Sequence, residues 1–149
     1  MKKVFYTIFL YIIFISNSFA DDPLKGVKDR SEKRAKCINI SSNAKTKWSS
    51  QIIYSGCYDN KKKLYQCSLK TKNAETEYAA QIIFSGCYNN KTKLYKCGNK
   101  IKNAKTRYAA EIIYSGCYNK NEKLYKCGNK IKNIPNDFAA QLKFSECMK

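Results

Sequence analysis

The sequence predicts an all-α protein, built as a solenoid of short αα-hairpin repeats that disulfides hold together. Three observations predict this fold. Eight cysteines recur with a 30-residue period, each period contains two segments of helical character, and 44% of the 149 residues are apolar. That apolar content is too high for a disordered chain. Units of this size cannot bury their own apolar faces, so neighbouring units must complete the core.

Residues 1–20 have the pattern of a secretory signal peptide. Lys2 and Lys3 precede an apolar run from Val4 to Ile15, and Ser18 and Ala20 are small residues before the expected cleavage site. A membrane anchor needs about 20 apolar residues, so this run is too short. We therefore expect export to the periplasm or the medium, and no stable membrane span after cleavage. Cleavage removes two positive charges from the net +18 and leaves +16.

The remaining chain divides into a linker and a repeat array. Residues 21–36 are charged and have no counterpart among the repeats, so they are predicted to be a linker that gains helicity near its end. Residues 37–149 are predicted to form four cysteine-containing αα repeats of about 30 residues. Ser-Gly-Cys-Tyr recurs at Ser55, Ser85 and Ser115, and Lys-Leu-Tyr recurs at Lys63, Lys93 and Lys123.

Each period is predicted to hold a longer helix A and a shorter helix B. Helix A is expected over Asn73–Ser85, with Asn73 as its N-cap and Gly86 in the left-handed conformation after its end. Helix B is expected over Lys91–Cys97, with Gly98 as its stop. A strand is the alternative for helix B, but the Gly-Asn that follows it favours a helix.

Two disulfide pairings fit the cysteine period. One joins cysteines 20 residues apart, as Cys37–Cys57, Cys67–Cys87, Cys97–Cys117 and Cys127–Cys147. The other joins cysteines 10 residues apart and leaves Cys37 and Cys147 unpaired at opposite ends of the array. Geometry alone does not decide, because helix B has the end of a helix A on both sides. The number of cysteines favours the first pairing, because it uses all eight. The second pairing leaves two cysteines that are too far apart for a disulfide to join.

The composition argues against catalysis and against metal binding. The chain has no histidine, which excludes Ser-His and Cys-His nucleophile pairs and His-ligated metals. Cysteine gaps of 10 and 20 do not give the short C-x2–4-C spacing of zinc sites. We also find no P-loop, no G-x-S-x-G and no S-x-x-K. We therefore expect no catalytic residue, no cofactor and no metal.

Lysines repeat with the same period as the cysteines. Three ladders result, namely Lys63/Lys93/Lys123, Lys70/Lys100/Lys130 and Lys72/Lys102/Lys132. Such ladders could bind an extended polyanion, and tyrosines at 58, 88, 118, 65, 95 and 125 interleave with them. The alternative, which we favour at this point, is that the lysines follow coding bias and keep the protein soluble. Specific nucleic-acid binding is not expected.

Two positions near the start of helix A change charge from unit to unit. The first position is Lys45, Glu75 and Lys105 in successive repeats, and the second is Lys47, Glu77 and Arg107. These six residues form a candidate binding face on the solenoid. The alternative is drift of an exposed surface, accompanied by weak ion pairs between repeats.

The residues also resemble a known family. The segments Leu94–Gly98, Asn103–Ala110 and Tyr114–Gly116 are similar to the Sel-one-like repeat, a tetratricopeptide-like αα repeat, and the likeness covers residues 35–149. The cysteine in Tyr-Lys-Cys is similar to that of secreted, disulfide-bridged members. The sequence departs from the family in a shorter connection between helices A and B, a missing Gly-Val-x-x-Asp loop, and a second cysteine that follows helix A.

The expected function combines these features. The resemblance implies an interaction scaffold, so we expect an exported, disulfide-stabilised αα-repeat protein that binds another, unidentified protein. One alternative is a cationic protein that binds an acidic protein, an anionic surface or a polymer. A second is an enzyme acting on β-lactams or cell-wall peptides, which only the likeness to penicillin-binding or β-lactamase-like family members suggests.

Overall fold

The computed structural model describes residues 25–149, with side chains from Asp29 onward, and every regular element in this part is helical. Its helices are α1 (Lys25–Ser42), α2 (Lys47–Tyr58), α3 (Lys62–Leu69), α4 (Glu77–Tyr88), α5 (Thr92–Ile101), α6 (Arg107–Tyr118), α7 (Glu122–Ile131) and α8 (Asp137–Met148). The all-α class is confirmed. The proposed signal peptide lies outside the described residues. Part of the segment that we assigned to a linker belongs to α1.

The chain divides into two units after Ala35, and the second unit, residues 36–149, contains the repeats. In this unit α2 packs on α3, α4 on α5, and α6 on α7, each pair forming a hairpin. The A helices α2, α4, α6 and α8 also contact one another in sequence. The B helices are α3, α5 and α7. Two helices per period are therefore present, as the sequence predicted.

Each helix A begins three residues later than the N-cap expected at Asn73 would place it. Thr76 has extended backbone, and its hydroxyl accepts a hydrogen bond from the Ala79 N–H at 3.2 Å. Asn73 instead lies in the preceding turn, where the Ala74 N–H donates to the Thr71 carbonyl at 2.9 Å. The prediction was wrong because threonine also satisfies first-turn donors. The same role falls to Thr46, Thr106 and Asn136.

The glycine expected after helix A lies inside it. Gly86 is buried in α4, which continues to Tyr88, and the positive φ of 55° belongs to Asn90 in the connection to α5. A Cβ on Gly86 would lie 2.4 Å from the Tyr95 backbone nitrogen. Glycine is therefore required here for a close approach of two helix backbones and not for a turn.

The glycine expected to stop helix B also lies within a helix. Helix α5 continues past Gly98 to Ile101. A Cβ on Gly98 would lie 3.1 Å from the Ile83 side chain, so this glycine faces helix A of its own hairpin. The second and third hairpins thus have one glycine on each helix at the contact between the two helices, whereas in the first hairpin Ser68 takes the place of Gly98.

The core consists of small and β-branched side chains. Ala79, Ala80 and Ile83 of α4 are fully buried, as are their counterparts in α6. Around this core, rings of successive A helices meet edge to face, with Tyr78 and Tyr114 at 6.2 Å between centroids. Trp48–Phe84 and Tyr108–Phe144 repeat this contact. Such pairs add about 0.5–1.5 kcal/mol beyond the area that they bury.

Four disulfides join successive helices. They connect α1 to α2, α3 to α4, α5 to α6 and α7 to α8, through Cys37–Cys57, Cys67–Cys87, Cys97–Cys117 and Cys127–Cys147. The Cα–Cα distances of 5.6 to 5.7 Å are those of ordinary disulfides. This is the pairing across 20 residues that the number of cysteines favours. The first three bridges each link a helix that precedes a hairpin to helix A of that hairpin, and the fourth links the last hairpin to α8.

The turns before the A helices add a backbone link between repeats. The Glu75 N–H donates to the Lys102 carbonyl at 2.9 Å, one repeat further along the chain. Lys45 donates to Lys72 at 3.0 Å and Lys105 to Lys132 at 2.9 Å in the same way. Neighbouring hairpins are therefore connected by a disulfide, a backbone hydrogen bond and packed A helices.

Removal of one internal disulfide should lower stability substantially. Replacing Cys67 and Cys87 together by alanine opens a 20-residue loop, which in the chain-entropy model costs about 3 kcal/mol. Full reduction should unfold the array or sharply lower its melting temperature. Thermal melts followed by circular dichroism, with and without strong reductant, test this. An unchanged melting curve in reductant would contradict it.

The glycine contact makes a second prediction. Gly86→Ala forces a Cβ onto the Tyr95 backbone, and overpacking costs about 1–3 kcal/mol or more. This cost exceeds the stability of about 1 kcal/mol that alanine adds relative to glycine in a helix interior. Glu146→Ala is the matched control, because Glu146 holds the equivalent, exposed position of α8; its effect should stay within about 0.5 kcal/mol. Urea unfolding of the oxidised variants measures both, and an equally stable Gly86→Ala variant would refute the packing argument.

Candidate binding surface

The charged residues that the sequence singled out near the start of helix A contact one another between repeats. The Glu75 carboxylate forms ion pairs with Lys45 of the preceding repeat and with Lys105 of the following one, the latter at 3.3 Å. The hydrogen bond from Lys45 lowers the pKa of Glu75 against a smaller opposing effect of burial, and Lys105 lowers it further. The reversed charge in the middle unit therefore bridges three repeats.

The second alternating position also has partners inside the chain. The Glu77 carboxylate accepts from the Trp48 N–H at 3.4 Å, which satisfies a first-turn donor of the preceding helix A. Arg107 pairs with Glu111 at 2.7 Å, and its guanidinium lies 5.9 Å from the centroid of the Tyr78 ring. Of the six residues, Lys47 is exposed without such a contact. Most of this charge pattern is thus used in contacts within the fold.

The B helices carry a second set of charges, and these project into solvent. Lys93, Lys96 and Lys100 of α5 are all exposed, and their spacing of three and four residues places them on one side of the helix. Helix α7 repeats this with Lys123, Lys126 and Lys130. In the first hairpin Lys63 and Lys70 are the corresponding residues. We call these eight lysines the lysine face.

The lysines at the start of each helix B rest on the following helix A. The Lys63 ammonium lies 5.2 Å from the centroid of the Tyr88 ring, and the Lys93 ammonium 4.4 Å from that of Tyr118. Lys123 instead donates to the Met148 carbonyl at 2.6 Å. One turn further, Lys126 pairs with Glu122 at 2.8 Å. These lysines therefore have partners within the chain.

The lysines at the end of each helix B have no such partner. Lys70, Lys100 and Lys130 are exposed, and within residues 29–149 none of them forms a side-chain ion pair, hydrogen bond or ring contact. We call these three residues the lysine row. Together with Lys96, which is also exposed and without such a partner within residues 29–149, they are the charges of the lysine face that remain available to a ligand.

Each residue of the lysine row lines a groove beside a disulfide. The first groove, of about 450 Å³, is lined by Lys70, Gly86, Cys87, Asn90, Thr92 and Tyr95. The second, of about 380 Å³, is lined by Lys100, Gly116, Cys117, Lys120, Asn121, Glu122 and Tyr125. A wider depression of about 880 Å³ contains Lys130 and Cys147 in the third repeat. One lysine, one cystine and, in the first two, one glycine therefore recur in register.

Sequence reasoning found the lysine row as a ladder but missed the grooves. The grooves lie where the end of a helix B meets helix A and the loop of the next hairpin, and Gly86 and Gly116 are among their lining residues. The available signal was the fixed distance from each lysine to the next Ser-Gly-Cys. That spacing indicates that the lysine lies near the glycine and cysteine only once the disulfide between the two helices is known.

Neither a cluster of metal ligands nor a membrane-spanning helix occurs in the described residues. No group of three or more potential metal ligands occurs in that part of the chain. None of its helices is both long and apolar enough to cross a membrane.

Comparison with protein-family models, curated proteins and solved structures found no match to this chain.

The bridging carboxylate predicts a pH-dependent contribution to stability. Glu75→Gln should destabilise the protein at neutral pH by no more than about 1 kcal/mol for each ion pair, because the pairs are partly exposed. A lowered pKa means that the contribution is complete above the ordinary value of 4.5 and disappears as the pH falls through the folded-state pKa.

Urea unfolding of Glu75→Gln and the parent protein from about pH 7 down to about pH 3, a range that includes the ordinary pKa of a glutamate, measures this difference. Glu122→Gln is the comparison: Lys126 of the same helix also lowers the pKa of Glu122, so this variant measures the pH dependence of an ion pair that links no repeats. A difference that stays constant to the acidic end would rule out the bridge as its source.

Proposed function

We propose that this protein is an exported, disulfide-stabilised binding scaffold of the αα-repeat solenoid type, and that its partner is acidic. The likeness to secreted Sel-one-like repeats supports the scaffold role. The four disulfides support export, because such bonds persist in oxidising compartments.

The observation that carries the acidic partner is the separation of charge between the two kinds of helix. Between residues 36 and 149, Glu122 is the sole carboxylate on a B helix, while the others lie on the A helices or in connections. The carboxylates of Glu75 and Glu111 neutralise cations on the A side. The positive charge of the lysine face is therefore concentrated where no carboxylate but Glu122 opposes it.

This concentration moves our preference from an unspecified protein partner to an acidic macromolecule. Solubility alone requires net charge but no separation of charge by helix. The role as an enzyme acting on β-lactams or cell-wall peptides is supported only by the family resemblance. Turnover of a chromogenic β-lactam by the oxidised protein would favour that role instead.

Binding to an acidic partner should require the folded array and fall with salt. The oxidised mature protein should bind immobilised acidic proteins and polymers, with affinity decreasing steeply as ionic strength rises. The control is the same chain reduced and alkylated with a neutral reagent, which keeps the lysines but loses their arrangement. We expect at least tenfold weaker binding by the control in surface plasmon resonance. Equal binding by both forms would reject a scaffold and leave only non-specific attraction.

A further inference from the structure

We infer that the lysine row and its grooves form a binding site for a linear acidic polysaccharide, with one anionic sugar seated in each groove. This inference rests on the proposed function, which supplies an acidic partner, and it adds the class of partner and the residues that hold it.

The first argument is the repetition of the site. Successive A helices are in direct contact, and packed helices lie about 8–10 Å apart. Lys70, Lys100 and Lys130 therefore recur at a regular step along the array. A ligand that engages all three must present anions at a regular step as well. A linear polymer with an acidic group at regular intervals does this, whereas the surface of a folded protein has no such repeat.

The second argument is the chemistry of the groove walls. Tyr95 and Tyr125 provide an aromatic ring in the first two grooves, and Asn90 and Asn121 provide an amide. An aromatic ring offers an apolar surface to the face of a sugar ring, and an amide can donate to and accept from hydroxyl groups. A lysine ammonium has three donors and no fixed plane, so it can donate hydrogen bonds to a sulfate or a carboxylate in many orientations.

The third argument is what the lysine face lacks for other ligands. Interfaces with proteins depend on large anchors that become fully buried. The large exposed hydrophobic residues line none of the three grooves, namely Ile38, Tyr88, Tyr118, Phe138 and Leu142. Membrane surfaces are bound by helices with apolar residues that enter the lipid. Sequence-specific DNA readers use arginine forks on guanine, and Arg107, the only arginine after residue 36, is paired with Glu111.

The test uses the oxidised mature protein and heparin oligosaccharides of increasing length as the probe. Titration calorimetry should show affinity rising from disaccharide to octasaccharide, and then levelling off once three grooves are occupied. The triple variant Lys70→Gln, Lys100→Gln, Lys130→Gln should bind at least tenfold more weakly. Its plot of log affinity against log salt should become shallower by about one unit for each lysine that contacted an anion, by analogy with phosphate contacts in DNA binding.

The matched control removes the same charge from a different ladder. In Lys72→Gln, Lys102→Gln, Lys132→Gln each replaced lysine lies in the turn after helix B, two residues after its counterpart in the lysine row, and lines none of the three grooves. This variant should keep parental affinity within about threefold, or roughly 0.7 kcal/mol. Circular dichroism melts of both variants should match the parent, which separates loss of binding from loss of fold.

Three results would overturn the inference. Equal weakening of both triple variants would show that only net charge matters. Affinity independent of oligosaccharide length would show that the grooves act singly. Tighter binding of poly-glutamate, duplex DNA or phosphatidylserine vesicles than of the octasaccharide would assign the lysine row to another ligand, and the proposed acidic partner would survive. Absence of binding to every one of these probes would remove the inference and the proposed function together.

Discussion

The disulfide between each hairpin and the helix before it is the constraint on which the rest of the molecule depends. The buried side chains are mainly alanine and isoleucine, and few of the larger aromatic residues are fully buried. Units of about 30 residues with such small cores gain little from burial alone. A cystine at the same place in every unit lowers the conformational entropy of the unfolded chain. It also fixes where helix B ends relative to the next helix A. The backbone bond from Glu75 to Lys102 and the ring contacts then keep the hairpins in register.

The same constraint positions the charge. A glycine contact such as Gly86 against Tyr95 holds the two helices of a hairpin together, and the cystine holds the hairpin against the preceding helix B. Lys70 therefore lies in a groove that Gly86 and Cys87 also line. Disulfide, glycine and lysine act as one structural unit. Because that unit is repeated, a single local arrangement becomes an extended surface with a regular step.

The features of this fold that follow from residue spacing are predicted correctly from the sequence. Features in which the role of a residue depends on its neighbours in the folded chain are not. The cysteine period and the number of cysteines favour the observed pairing. Asn73 and Gly86 fit the usual roles of helix cap and helix stop, yet Thr76 caps the helix and Gly86 lies within it. Asparagine and threonine both satisfy first-turn donors, so type alone cannot choose between them. A glycine required by a helix nine residues away carries no local mark of that requirement.

The candidate site follows the same rule. Three lysine ladders are visible in the sequence, and nothing in it ranks them. In the fold, Lys63 and Lys93 lie over tyrosine rings, which leaves them less free to meet a ligand. The carboxylate of Glu75, whose charge reversal suggested a ligand contact, instead pairs with Lys45 and Lys105 of its own chain. A charge that varies between repeats can thus stabilise the contacts between them. A charge that is repeated, exposed and without an internal partner, as at Lys70, Lys100 and Lys130, is the better indicator of a surface that binds a repeating ligand.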